Sequence, residues 1–215
     1  MFDLPAIRAQ FPALGRVIRG KLPTFLDGPG GTQVPRGVIE AISDYLSRCN
    51  ANHGGLFTTS RESDAILDKA HEAVADLLNA PSPHEVIFGL NMTTLTFHLS
   101  RSLARTWKPG DVVVVTRLDH DANVRPWVLA ARDAGAEVRF VEVRREDGTL
   151  DEADFSRKLQ GKVRLVALTC ASNALGTMPP VAKLIAEAHQ AGALVYLDAV
   201  HFAPHRSIDV AAWDC

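Results

Sequence analysis

Between Glu85 and Asp198 the chain alternates short, continuously apolar runs with longer stretches of helical periodicity. Few folds accommodate that pattern. The apolar runs are Val86–Phe88, Val112–Val115, Val138–Val143, Val163–Leu168 and Leu194–Leu197, and each reads as a buried strand. Between them lie the predicted helices Thr93–Trp107, Asn123–Ala134, Asp151–Leu159 and Val181–Ala191. A strand that is apolar on both faces needs cover on both faces, and parallel strands need a crossover long enough to hold a helix. The expected class is therefore α/β, a mostly parallel sheet with helices on both faces.

Upstream the pattern is different. Asp3 is placed to cap a short helix over Pro5–Phe11, with Pro5 in the first turn where its missing N–H costs little. A glycine-dense loop, Asp27–Thr32, follows. Pro35 opens a helical pattern in which Val38, Ile39, Ile42, Tyr45 and Leu46 share a face, and Ile66–Leu78 forms another. Asn50–Ser60 is polar and irregular. The expected organisation is an N-terminal segment, 1–24, followed by one large domain from 25 to 215.

Composition excludes several function classes. The 23 Lys and Arg are balanced by 25 Asp and Glu, a net charge of −2, so nothing draws the chain broadly to nucleic acid or to an anionic membrane. No run approaches the roughly 18 apolar residues of a membrane span. The start, Met1-Phe2-Asp3-Leu4-Pro5, lacks a basic stretch followed by an apolar one. Cys49, Cys170 and Cys215 are widely spaced, with neither a disulfide framework nor a Cys-x-x-Cys pair, and a reducing cytoplasmic setting is expected.

In open α/β sheets ligands gather at the carboxyl ends of the strands. Asn91-Met92-Thr93-Thr94, Asp119-His120-Asp121, Ser172-Asn173-Ala174-Leu175-Gly176-Thr177 and Asp198-Ala199-Val200-His201 all follow apolar runs. Met92 and Thr93 open a helix whose free amides suit a phosphate, although a threonine-rich helix start is also ordinary capping chemistry. No Gly-x-x-x-x-Gly-Lys-Ser/Thr loop accompanies it, and no Gly-x-Gly-x-x-Gly follows a strand. Asp198 ends an apolar strand, where an ionised carboxylate needs a partner such as a protonated ring nitrogen. His120 fits a stacking, an acid–base or a structural role. Asn173 offers a neutral amide, or simply a turn residue before Gly176.

These pieces, in this order, resemble the class V aminotransferase and cysteine desulfurase-like group of fold-type-I pyridoxal-phosphate enzymes. Further pieces of the same resemblance are Phe25-Leu26-Asp27, Asn50-Ala51-Asn52-His53, Asn123 with Pro126-Trp127, and Pro204-His205. It implies that Met92 and Thr93 hold the cofactor phosphate and that His120 stacks on its ring. It also implies that Asn173 and His201 meet the ring hydroxyl, and that Asp198 pairs with the ring nitrogen. The cofactor would supply the carbanion chemistry. An amino-acid substrate, a homodimer, and aminotransfer, desulfuration or another elimination are implied with it.

The sequence also departs from the group. Asn91-Met92 stands where desulfurases commonly carry Gly-Thr, and Asp121 where a second histidine is usual. Asn52-His53-Gly54-Gly55 differs from the Asn-x-His-Arg pattern. The Schiff-base lysine is expected on a strand following Asp198, whereas the lysines present, Lys21, Lys69, Lys108, Lys158, Lys162 and Lys183, all precede it. The expectation is thus a chain truncated before that lysine and before the small C-terminal domain. Two alternatives accompany it. One is a non-catalytic interaction fragment of the same fold. The other is a metal-dependent hydrolase using Asp119, His120, Asp121, Asp198, His201 and His205, weakened because Pro204 breaks the helix that a His-x-x-x-His pair needs.

Overall fold

The computed structural model describes residues 2–215, which divide into two compact units, one running to Val74 and the other Ala75–Cys215. In the first unit, helix α1 spans Leu4–Ala9, and the Asp3 carboxylate accepts the Ala6 amide at 3.1 Å. Helix α2 (Arg36–Arg48) begins after Pro35. Helix α3 (Thr58–Leu78) starts earlier than its apolar periodicity predicts and runs on into the second unit. The loop before it is organised by side chains from α3. Asp64 accepts the Gly54 amide at 3.0 Å, Ser60 accepts that of Gly55 at 2.7 Å, and Tyr45 meets Ser63 at 2.8 Å.

The second unit contains helix α4 (Met92–Ala104), strand β1 (Asp111–Thr116), helix α5 (Arg125–Asp133), strand β2 (Glu137–Val141), helix α6 (Glu152–Lys158), strand β3 (Lys162–Thr169), helix α7 (Val181–Gln190), strand β4 (Leu194–Asp198) and the short helix α8 (Val210–Trp213). The strands form one parallel sheet in the order β2-β1-β3-β4. The register places Thr116 beside Val141, and Thr169 beside Asp198.

Alternation of side chains along β1 separates two cores. Val112 and Val114 pack with Phe155, Leu184 and Ala188, under α6 and α7. Val113 and Val115 pack with Trp127, Ala130 and Ala131, under α5. The central strands β1 and β3 are buried nearly throughout, whereas β2 and β4 are half-exposed because each is an edge.

One expected strand does not form. Val86–Phe88 is extended but pairs with no strand among the described residues. Val86 is buried, while Ile87 is 77% exposed. A strand requires a neighbour to complete its hydrogen bonds, and an apolar run of three residues does not bring one with it.

Candidate functional site

The sheet order has a consequence at the strand ends. From β1 the chain crosses to β2 on one side, then returns past β1 to β3 on the other. The crevice between the carboxyl ends of β1 and β3 is thus a topological switch point, the usual ligand position in such sheets. Ser172 spans it, donating from Oγ to the Leu118 carbonyl at 3.4 Å.

Beyond β1, the Thr116 hydroxyl accepts the amides of Leu118 at 3.0 Å and Asp119 at 3.2 Å, and donates to the Asp119 carboxylate. The other oxygen of Asp119 accepts Nδ2 of Asn123 at 2.6 Å, and Trp127 Nε1 donates to Asn123 Oδ1 at 3.1 Å. His120 Nδ1 accepts the Ala122 amide at 3.1 Å, which holds the exposed ring in one orientation.

Beyond β3, the Cys170 amide donates to the Asp198 carbonyl at 2.8 Å. Asn173 then sits half-buried in a turn closed by Gly176 N donating to Ser172 O at 2.9 Å. Gly176 has φ +73°, a left-handed conformation that a side chain resists. Beyond β4, Asp198 is 8% exposed and accepts the Val200 amide at 3.0 Å. His201 is half-buried and His205 exposed, in a turn rather than a helix, as Pro204 dictates. Among the described residues, no three His, Cys, Asp or Glu side chains gather to hold a metal.

At the start of α4, Asn91 Oδ1 accepts the Thr94 amide at 2.9 Å, and the first intrahelical bond runs from Leu95 N to Asn91 O. The Met92 and Thr93 amides precede that bond and have no acceptor within the helix. α4 packs against α5 and the turn Asp121–Asn123. Thr96 in its second turn meets the Tyr196 hydroxyl of β4 at 3.0 Å.

The crevice is short of positive charge. Burial pushes the Asp119 carboxyl up to about 7 against the hydrogen bonds from Thr116 and Asn123, and the charge of Asp198 adds to the rise. Burial raises the Cys170 thiol to about 12, with Cys215, Asp198 and Asp119 contributing, so it stays protonated. Tyr196 is raised by burial and by Asp198. A buried carboxylate among such groups favours a cation beside it.

The structure thus gathers the Asp119–His120 loop, the Ser172–Asn173 turn and Asp198, and ties α4 to β4 through Thr96 and Tyr196. Those two were not singled out from the sequence. The available signals were a threonine on the buried face of α4 and a tyrosine within an otherwise aliphatic strand.

A family model for class V aminotransferases matches residues 24–215. A cysteine desulfurase of Pectobacterium atrosepticum is 35% identical over 216 aligned residues, covering 100% of this chain and 53% of its own length. Among solved structures, a cysteine desulfurase from Thermococcus onnurineus superposes with TM-score 0.88 at 28% identity, over 99% of this chain and 51% of that one. A second, from Escherichia coli, gives 0.84 at 29% identity, over 100% and 53%. The chain spans about half the length of the curated relatives it matches. With a matched region covering most of its length and the same fold, this chain belongs to the class V aminotransferase family.

Proposed function

We propose that this chain is the cofactor-binding portion of a pyridoxal-phosphate enzyme that transforms an amino acid, with cysteine desulfuration the reaction favoured by its relatives' names. The observation that carries the proposal is Asp198, a carboxylate 8% exposed at a strand end, held by the Val200 amide and in no ion pair among the described residues. The residues fit the group: an anion in a crevice short of positive charge, uncommitted amides at a helix start, and a histidine ring fixed by its own loop.

Asp198 would hold a proton at the ring nitrogen. When bound, the cofactor supplies stabilisation of negative charge at the amino acid's α-carbon. Met92 and Thr93 bind the phosphate through backbone amides, the Thr93 hydroxyl and the positive end of α4. His120 covers one face of the ring, its orientation set by the Nδ1 contact with Ala122. Asn173 and His201 bind the ring hydroxyl. The lysines of this unit are placed elsewhere: Lys108 and Lys158 precede β1 and β3, Lys162 pairs with Asp111 at 2.8 Å, and Lys183 with Glu152 at 2.7 Å.

The working assembly is a homodimer. Among the described residues of α2 none is buried, and its apolar face, Val38, Ile39, Ile42 and Leu46, is open for a second copy to cover.

Equilibrium dialysis with pyridoxal 5′-phosphate tests the cofactor assignment. Saturable binding is expected, weakened about tenfold or more in Asp198→Ala, since an unpaired buried charge costs over a kcal/mol. Borohydride treatment should leave no adduct on a specific lysine. Absence of saturable binding, or an Asp198→Ala affinity equal to wild type, would overturn the assignment.

A further inference from the structure

β1 and β4 each deliver a carboxyl group to the crevice, and only Asp198 has a role so far. The other, Asp119, is half-buried and ends a chain of contacts whose middle is buried. Thr96 Oγ1 donates to the Met92 carbonyl at 2.9 Å, so in the 3.0 Å contact with Tyr196 the phenol is the donor. The Tyr196 ring meets Trp127 edge-on at 5.0 Å, and Trp127 reaches Asp119 through Asn123. Thr96, Asn123 and Trp127 are each 0% exposed. The chain links the start of α4, the strand carrying Asp198 and the loop carrying His120.

We propose that Asp119 is a positioning residue of the cofactor site. It pins the His120 loop to the end of β1 and, as the second carboxyl beside Asp198, makes affinity for a cationic ring depend on its own proton. This rests on the assignment of Asp198 as the partner of the ring nitrogen.

The groups around Asp119 support it. Its hydrogen-bond donors are neutral: Thr116, Asn123 and the Thr169 backbone. The titratable groups that act on it or feel its charge are Asp198 from β4 and Cys170 from β3, and His120 follows it in its own loop. The His120 Nδ1 atom is engaged by the Ala122 amide at 3.1 Å. The nearest guanidinium in sequence, Arg117, lies over the Phe140 ring at 4.4 Å and is 3.6 Å from Glu142. Burial, with no ion pair among the described residues to offset it, keeps the carboxyl protonated toward neutral pH. Ionisation then adds a second negative charge beside Asp198 and strengthens binding of a cation there. By reciprocity, binding that cation drives the proton from Asp119.

Two measurements on the chain decide the matter. Without ligand, tryptophan emission should titrate near pH 7, because Trp127 senses Asp119 through Asn123. Asp119→Asn should abolish that transition. Asp198→Asn, which leaves Asp119 in place, should move it to lower pH. A transition that persists in Asp119→Asn, or one that Asp198→Asn does not move, would overturn the pairing. With pyridoxal 5′-phosphate, the ratio of wild-type to Asp119→Asn dissociation constants should change about 5- to 10-fold between pH 6 and 8, wild type gaining as pH rises. Identical pH profiles would leave the cofactor assignment standing and remove Asp119 from it. Failure of wild type to bind at any pH would remove the cofactor assignment and the affinity claim together.

Discussion

Asp111 and Asp119 stand at opposite ends of the β1 segment, and their charges act on stability with opposite sign. Asp111 is nearly buried, with a side chain 2% exposed, held by Lys162 at 2.8 Å, the Lys108 amide at 3.0 Å and Arg164 at 3.9 Å. The Lys162 contact above all holds its carboxyl below the ordinary value. Its contribution is therefore present above the unfolded carboxylate range and lost as pH falls through it. Asp119 lies the other way, pushed up to about 7 by burial. Below pH 4 both states hold the proton and nothing is lost. Between about pH 4 and 7 the unfolded chain releases the proton first, so stability falls by about 4 kcal/mol, a figure from the shift alone. In urea unfolding, Asp119→Asn is expected to exceed wild type in stability at pH 8 and to lose that advantage by pH 4. Asp111→Asn is expected to be weaker than wild type at neutral pH and to converge with it in acid. Asp198 was legible in the sequence as a carboxylate ending an apolar run. The protonation of Asp119 was not, because its burial comes from the ends of β3 and β4, some fifty and eighty residues away.

Some helix starts were legible because capping is local chemistry, that after Asp3 above all, whereas α3 begins eight residues before its apolar periodicity and α8 was not expected. Asp3, Asn91, Asp151 and Asp209 each accept an amide from the first turn of the helix they precede. Asn91→Ala should cost about 1 kcal/mol in urea unfolding. It should also weaken pyridoxal 5′-phosphate binding, since the first turn of α4 presents the proposed phosphate contacts. Phe155 belongs to the core between the sheet and α6 and is fully buried. Phe155→Ala should cost about 3–5 kcal/mol, read from the same transitions. Strands were less secure. Val138–Val143 and Leu194–Leu197 appear at nearly the expected positions as β2 and β4, yet the similar run Val86–Phe88 forms no strand of the described sheet. Apolar content marks a segment that seeks cover, whereas a strand also depends on a neighbour supplied by distant chain.

The second unit exposes Ile87, Leu90, Leu99 and Leu194, and the first exposes the apolar face of α2. Exposed apolar residues in such number predict self-association of the 215-residue chain. Sedimentation velocity should show mass rising with concentration, and Ile42→Asp should reduce it if α2 is the contact. A concentration-independent monomer would count against both the exposed surface as an adhesive and the homodimer. The sequence by itself determined the α/β class, the capped helix start after Asp3 and the set of polar residues following the strands, since periodicity, capping and residue chemistry are local. Tertiary structure alone decided the strand order, the crevice between β1 and β3, and the joining of Thr96, Tyr196, Trp127, Asn123 and Asp119 into one chain of contacts. Those depend on which strands become neighbours and how completely they exclude water, and neither is written in any single stretch of the chain.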